Sequence, residues 1–485
     1  MASIKPLYLV QVVLVLVLAW WFSGSIVIFF NVGCGFVAKT VCSGVFVANR
    51  SALSMHKHDL SPISRLLVNY EVDYQRKCVN SSIWLLQSLF ASTAVYNGHY
   101  TGCSVIADAD LYESQHRALF EAFRDEERPV RHTNANAARA VRQNKAVQDA
   151  VDAEFTLAAF ESSHTRALVV LHRGELIAEG YASEHIPDIG VATGHLGWSM
   201  TKTLMAILVG MRIRQGHLSL DEVVHGNATL RNVLQMADIL PVKEGYDATD
   251  DMPVMLFSKV SVMEFIQSYD AKSGREPLGT DAWYYSSALS NVLSDVLRRT
   301  FDTTADYWRF PREALFGVIG ADSIVLETDQ SGLYVASTFG YATARDWAKV
   351  GQLLVQKGRW NDERLFDESY ADFLTARAPG SGGVYGGQLW CVDHRPVPSS
   401  TPLFVQRERV AVNYLLRASP PQDTCFLSGH DGQLVLMSPS LNLVVARLGD
   451  TPGMVAPQDP ALWGDWHPKW NISRFFKSVL DGIES

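Results

Sequence analysis

The longest apolar stretch of the chain runs from Leu7 to Phe30 and contains no charged residue. As a helix its 24 residues span about 36 Å, which exceeds the ~30 Å hydrocarbon core of a bilayer. The apolar region of a cleaved signal peptide is shorter, ~7 to 15 residues, and the bulky Trp20-Trp21-Phe22 offers no small-residue cleavage site. The pattern therefore predicts an uncleaved signal anchor within residues 1–31, with a cleaved signal peptide as the alternative.

Beyond this stretch the apolar residues become periodic. Those in 168–171 and 175–181, on either side of Arg173-Gly174, predict a β-hairpin. The run from Leu204 to Met211 predicts a buried helix. Residues 217–280 have the scattered acids and loops typical of a helical lobe, and the last third returns to strand character at 387–392, 410–412, 434–437 and 443–448. This order predicts an anchor at 1–31, a membrane-proximal segment at 32–153 and one large globular unit at 154–485.

Composition bears mainly on partners and compartment. The net charge of -9 and the pI near 5.9, without a long basic run, argue against a nucleic-acid partner. Four of the six cysteines lie in the first quarter beside the predicted anchor, which suggests one or two disulfides and an oxidising compartment; buried free thiols are an equal alternative. Cys42 with Cys103 is the first pairing that we expect.

Flanking charges and glycosylation sequons bear on which side of the membrane the large unit lies. Lys5 and Lys39 flank the apolar stretch, so the positive-inside count is nearly balanced. Sequons for N-glycosylation are compatible with a lumenal or extracellular face in a eukaryote, and they begin at Asn49, Asn80, Asn227 and Asn471. We expect a single-pass membrane protein whose large unit lies on the extracytoplasmic side.

The most informative chemical feature is Ser199-Met200-Thr201-Lys202, which follows Gly197 and leads into the predicted buried helix. A spacing of three residues puts Ser199 and Lys202 on one helical face. A desolvated lysine can stay neutral and accept the serine proton, and the helix N-terminus favours the developing alkoxide. The alternative is a purely structural role, with a helix-capping serine followed by a solvated lysine. The sequence lacks the last glycine of G-x-S-x-G around Ser199, so a Ser-His-Asp triad is disfavoured.

Two further motifs follow in order. Residues 283–287 read Trp-Tyr-Tyr-Ser-Ser, and residues 429–433 read Gly-His-Asp-Gly-Gln directly before an apolar strand. The order Ser-x-x-Lys, Tyr-x-Ser, His-x-Gly resembles the penicillin-recognising serine hydrolases, which include class C beta-lactamases, DD-peptidases, related esterases and 6-aminohexanoate-dimer hydrolases. The predicted hairpin and residues 339–351 are also similar to this group, so that the resemblance covers 154–449. It implies an α+β, beta-lactamase/transpeptidase-like fold in which helices flank an antiparallel sheet beside a helical lobe.

The resemblance also implies roles for the first two motifs. Ser199 would be the nucleophile and Lys202 its proton acceptor. Tyr285 would return a proton to the leaving group, as a phenol whose pKa is depressed by the nearby lysine. We choose Tyr285 over the adjacent Tyr284 because Tyr285-Ser286-Ser287 matches the family's Tyr-Ser-Ser form. Ser287 would then hydrogen-bond Lys202 or the substrate, and a tyrosine packed in the core is the alternative.

In the third motif His430 stands where beta-lactamases usually carry lysine. A neutral imidazole attracts a carboxylate less than an ammonium does, which weakens the case for a penicillinase. Gly432 would allow close approach of the substrate, and the backbone N–H groups of Ser199 and Gln433 would form the oxyanion hole. A structural histidine at a strand end is the alternative for His430.

These inferences predict a membrane-anchored serine hydrolase that cleaves amide or ester bonds of small or peptide-like substrates through an acyl-enzyme. No cofactor or metal is expected, because His56 and His58 lack a second ligand group with zinc-site spacing. The alternatives are an inactive membrane-tethered scaffold of the same fold and a penicillin-binding D-peptidase.

Overall fold

The computed structural model describes the backbone alone for residues 6–23 and 270–273, and in full residues 24–84, 86–124, 144–237, 240, 242–269, 283–395, 405–407, 412, 417–451 and 469–484. The strand predicted at 410–412 falls largely outside these residues. Helix α1 (Pro6–Phe46) runs without a break past residue 31, where we predicted the anchor to end. Its side chains 24–29 are exposed, whereas most of those from Val32 onward are buried. The helix therefore continues because its second half packs into the protein.

The second half of α1 lies across a four-stranded antiparallel sheet of order β1-β2-β3-β4. Two short helices separate α1 from this sheet, and two more with a π-helical turn between them follow it. The elements are α2 (Ala52–His58), α3 (Pro62–Leu67), β1 (Val68–Asp73), β2 (Cys78–Ile83), β3 (Ala91–Tyr96), β4 (Cys103–Ile106), α4 (Ala109–Leu111), the π turn (Tyr112–His116) and α5 (Arg117–Arg124).

A disulfide and a buried ion pair fix α1 in place. Cys42 is bonded to Cys103, the pairing that we expected, and it joins α1 to β4. On the same face Lys39 forms a buried ion pair with Glu327, whose carboxylate also accepts a hydrogen bond from Ser43 Oγ at 2.8 Å. Lys39 and Glu327 are 288 residues apart, so this contact joins α1 to the large unit.

The large unit contains a six-stranded antiparallel sheet of order β14-β15-β16-β17-β5-β6. The predicted hairpin is confirmed as β5 and β6, and Arg173 and Gly174 at its turn both have positive φ, as a tight two-residue turn requires. Helix α14 covers one face. The strands and flanking helices are α6 (Lys145–Ala153), α7 (Leu157–Ser163), β5 (Thr165–His172), β6 (Glu175–Tyr181), α14 (Ala344–Val355), β14 (Trp390–Cys391), β15 (Cys425–Gly429), β16 (Gln433–Ser438), β17 (Leu443–Gly449) and α16 (Ile472–Glu484).

A helical lobe and small sheets fill the middle of the chain. The predicted buried helix is confirmed as α8, and nearly all of its residues are buried. The remaining elements are β7 (His195–Leu196), α8 (Thr201–Arg214), β8 (Val223–His225), β9 (Ala228–Thr229), α9 (Leu230–Leu234), α10 (Asp251–Ser258), α11 (Val262–Ser273), α12 (Ser287–Arg298), α13 (Thr304–Phe310), a π turn (Pro311–Phe316), β10 (Val325–Leu326), β11 (Gly340–Ala342), β12 (Arg359–Trp360), β13 (Glu363–Arg364) and α15 (Glu368–Thr375).

Candidate active site

Ser199 lies in a 3-10 turn (Trp198–Met200) that leads directly into α8. The N–H of Gly197 donates to the carbonyl of Gly340 at 2.7 Å, and Thr201 Oγ1 donates to the carbonyl of Trp198 at 2.7 Å. Trp198 has a positive φ of 48°, a conformation that costs energy for a large residue and that these contacts maintain. Ser199 is consequently held half-buried at the start of a helix, as the sequence predicted.

Lys202 lies one turn further along α8 and is almost completely buried, at 1 % exposure. Its Nζ is 3.0 Å from Ser199 Oγ, 3.1 Å from Ser287 Oγ and 2.9 Å from the carbonyl oxygen of Ser337. Burial lowers the pKa of the Lys202 ammonium to about 8, while the charge of Glu244 acts in the opposite direction. An amine with this pKa is partly neutral near physiological pH, and the neutral form can accept a proton.

Tyr285 contacts both members of this pair. Its phenol lies close enough to Ser199 for that hydroxyl to lower the pKa of the phenol, and Lys202 Nζ lies 5.0 Å from the centre of its ring. Burial raises the pKa of the Tyr285 phenol well above its ordinary value, so the depressed pKa that we expected is not what the structure contains. Burial dominates because the phenolate would lose its hydration. Tyr284 instead accepts a hydrogen bond from the N–H of Glu244 at 3.3 Å.

Glu244 belongs to this network and was missed in the sequence. It accepts hydrogen bonds from the N–H of Ser287 at 2.8 Å and from Ser287 Oγ at 2.5 Å, at the first turn of α12. Because Ser287 donates its hydroxyl proton to Glu244, its oxygen is free to accept from Lys202. A glutamate in the loop-rich 217–280 region has no local signal that distinguishes it from a solvated acid.

The third motif packs against the 3-10 turn that carries Ser199. β15 ends at Gly429, and a Cβ atom there would lie 2.1 Å from the carbonyl oxygen of Gly197, so only glycine fits. His430 follows it, with its ring stacked on Tyr246 at 4.1 Å and edge-on to Trp198 at 5.3 Å. The strand end predicted for the His-x-Gly motif is thus confirmed.

Within the turn that joins β15 to β16, His430 Nε2 is 3.4 Å from Asp431 Oδ2, and Gly432 adopts a positive φ of 83°. The next residue, Gln433, is buried, and its side chain accepts from the N–H of Gly449 at 3.1 Å and donates to the carbonyl of Gly449. The Gln433 side chain thus joins β16 to β17, which leaves only its backbone available for the predicted oxyanion role.

Aromatic rings pack around the site residues. Trp198 and Tyr246 flank His430, and the ring of Tyr285 packs 5.3 Å from Trp390 and 5.8 Å from Tyr385. The part of the chain that the structure describes contains no group of three or more His, Cys, Asp or Glu residues arranged to hold a metal ion. The structure therefore brings Ser199, Lys202, Tyr285 and Ser287 together, with the His430 turn next to them.

Known proteins are similar to this chain in sequence and in fold. It is 23 % identical over 274 residues to the 6-aminohexanoate-dimer hydrolase of Paenarthrobacter ureafaciens, an alignment that covers 48 % of this chain and 65 % of that protein. A Bacillus anthracis protein provisionally named as a 6-aminohexanoate-dimer hydrolase has a similar fold. Its TM-score is 0.50 at 17 % identity, and the match covers 67 % of this chain and 81 % of that one.

The family model of the beta-lactamases matches residues 157–463, more than half of the chain and all three motifs. The antiparallel sheet with its helical lobe agrees with that family's fold. This chain belongs to the beta-lactamase family.

Proposed function

We propose that this protein is a membrane-anchored serine hydrolase that cleaves amide or ester bonds of small or peptide-like substrates through an acyl-enzyme on Ser199. The observation that supports this most strongly is the 3.0 Å contact between Ser199 Oγ and the buried Nζ of Lys202. A solvated lysine beside a capping serine, the structural alternative, would be exposed and charged. Burial and a pKa of about 8 are what a proton acceptor requires.

In the acylation step neutral Lys202 takes the Ser199 proton as Oγ attacks the carbonyl carbon of the substrate. The backbone N–H groups of Ser199 and Gln433 stabilise the negative charge on the carbonyl oxygen. Tyr285 donates its proton to the leaving amine or alcohol and recovers the one held by Lys202, so no free phenolate accumulates. Its raised pKa suits this order of events, because the phenol stays protonated until the leaving group departs.

Water then attacks the acyl-enzyme and the same groups work in reverse, which regenerates Ser199. Ser287 positions Lys202 through the 3.1 Å hydrogen bond. The charges near Ser199 favour substrates that lack a carboxylate near the reacting bond. His430 replaces the usual lysine, and Glu244 adds a carboxylate two hydrogen bonds away from Lys202. For this reason we favour linear amides and esters over penicillin-like acids or D-peptides.

The location follows from the N-terminal half of the chain. The exposed apolar part of α1 would cross the membrane, and the catalytic unit would lie on the extracytoplasmic side. Two disulfides, Cys42–Cys103 and Cys391–Cys425, support an oxidising compartment. Lys39 is buried in an ion pair, so it does not count as a flanking charge, and Lys5 then favours a cytoplasmic N-terminus.

Labelling with a fluorescent fluorophosphonate tests the activated serine, because this probe needs a nucleophilic serine but no knowledge of the substrate. We expect label on Ser199, found by peptide mapping, and its loss in Ser199→Ala and Lys202→Ala. Matched controls are the exposed Ser219→Ala and Lys477→Ala, which should label like wild type. Folded wild-type protein that takes up no label would contradict the proposal and favour the inactive scaffold. Labelling that is blocked when the protein is first incubated with benzylpenicillin would favour the D-peptidase.

A further inference from the structure

Five exposed apolar side chains lie on one side of α1, near the place where this helix leaves the protein body. They come from α3 and from the tip of the β2–β3 hairpin (residues 84–90), and we call them the apolar collar: Ile63, Leu66, Trp84, Leu86 and Leu89. Leu66 is 76 % exposed, Leu89 69 % and Trp84 64 %. Clusters of exposed apolar residues on one face usually mark a contact surface.

Hydrogen bonds and ring contacts fix the collar against α1. The N–H of Ile83 donates to the carbonyl of Phe90 at 3.1 Å and closes the hairpin tip. The Phe90 ring packs 5.1 Å from the Phe30 ring of α1. On the other side, the N–H of Trp84 donates to the carbonyl of Leu67 at 3.3 Å, which places the hairpin beside the end of α3. The collar is therefore level with Phe30.

Phe30 is also where the apolar stretch predicted to cross the membrane ends. From Phe30 towards the N-terminus the side chains 26–29 are exposed and apolar, and the helical backbone continues to Pro6, about 36 Å away at ~1.5 Å per residue. The hairpin tip 84–90 carries no charge, and the only charged residue of α3 is Arg65. A tryptophan at the rim and a single basic residue are typical of the lipid headgroup layer.

We propose that the apolar collar is a second membrane contact, which enters the interfacial layer of the leaflet that α1 leaves at Phe30. This inference rests on the proposed membrane anchoring and adds a fixed orientation to it. A single helix would let the catalytic unit rotate about its anchor, whereas contacts from α3 and the hairpin on one side of α1 hold one face of the protein against the bilayer.

Depth-dependent quenching tests the collar in the full-length protein. Leu89→Cys is labelled with the polarity-sensitive fluorophore NBD and reconstituted in phosphatidylcholine vesicles with or without lipid carrying a doxyl quencher near the headgroup. The matched control is Leu157→Cys, which is 62 % exposed on α7. Ile28→Cys reports the anchor itself, and unmodified protein is the blank because its free Cys34 and Cys78 are buried. Labels at exposed positions leave the packing unchanged.

We expect blue-shifted emission and about twofold quenching by doxyl lipid at positions 89 and 28, with water-like emission at 157. Quenching at 28 but not at 89 would overturn the collar and leave the anchor standing. No quenching at either position would overturn both. Emission that is blue-shifted but unquenched at position 89 would mean that protein, and not lipid, covers the collar. Quenching at position 157 in addition to positions 89 and 28 would mean that the protein adsorbs to the vesicles without a preferred face. Each of these two results rejects the proposal. Leu66→Cys repeats the test on α3.

Discussion

Replacing Glu244 by glutamine tests whether this residue sets the protonation of Lys202. The carboxylate and Nζ are joined through Ser287 Oγ by hydrogen bonds of 2.5 and 3.1 Å. Their separation is thus at most about 5.6 Å, and at an effective dielectric constant of ~20 the unscreened attraction is about 3 kcal/mol or more. Because Glu244 is half-exposed, solvent screens much of this energy. We expect about 1.4 kcal/mol, which is roughly one pK unit.

The direction of the effect follows from the role of Lys202. The amine has to be neutral to accept the Ser199 proton, so reactivity should rise as the pH passes its pKa of about 8. The Glu244 carboxylate stabilises the protonated form, and its removal lowers the pKa. The acidic limb should therefore move to lower pH by about one unit in Glu244→Gln. Glutamine keeps the shape of the side chain and one oxygen that can accept from the N–H of Ser287.

The second-order rate of fluorophosphonate labelling between pH 5 and 9 measures this limb without a known substrate. Glu264→Gln, an exposed acid on α11, is the control and should leave the limb where it is in wild type. A uniform loss of rate with no change in the limb would show that Glu244 only caps α12. An upward move of the limb would refute the assignment of Lys202 as the proton acceptor.

Three further predictions concern packing. Gly429→Ala should slow labelling of Ser199 by about 100-fold, because the new Cβ meets Gly197 O at 2.1 Å. Gly190→Ala is the control, because a Cβ there has open space, and it should label like wild type. Glu327→Gln should lower the free energy of unfolding in urea by about 3 kcal/mol, because it leaves the Lys39 charge buried without its partner. The double variant Glu327→Gln with Lys39→Met should lose less stability than Glu327→Gln alone. An equal or larger loss in the double variant would contradict this interpretation. Replacing Cys391 and Cys425 by serine should lower the free energy of unfolding by about 4 kcal/mol, because the disulfide closes a loop of 34 residues in the unfolded chain. Unchanged stability would argue against the disulfide.

Local physics made part of this structure predictable. The β5–β6 hairpin follows from residues of strand period around Arg173-Gly174, and the start of α8 follows from a serine and glycine before an apolar run. The spacing of Ser199 and Lys202 places both side chains on one face whatever the rest of the protein does. Such local structure depends only on residues that are close in sequence, and the structure contains it as predicted.

The resemblance supplied the motifs over longer distances but not their environment. It identified Tyr285 and His430 as candidate site residues. The pKa of Tyr285 is nevertheless raised where we expected it to be lowered, because burial depends on what packs around the ring. The same limit applies to the Cys391–Cys425 disulfide, which we had not proposed. Sequence separation alone does not reveal which thiols the fold brings together.

The sequence by itself determined the beta-lactamase-like fold, the Ser199–Lys202 pair and an apolar N-terminal helix. Only the tertiary structure decided that α1 continues to Phe46 and that Lys39 pairs with Glu327, 288 residues away. It also decided that Glu244 reaches Ser287 and tunes Lys202. The physical reason is that helix periodicity and turns act between near neighbours. Burial and charge pairing instead depend on distances in space that no local pattern encodes.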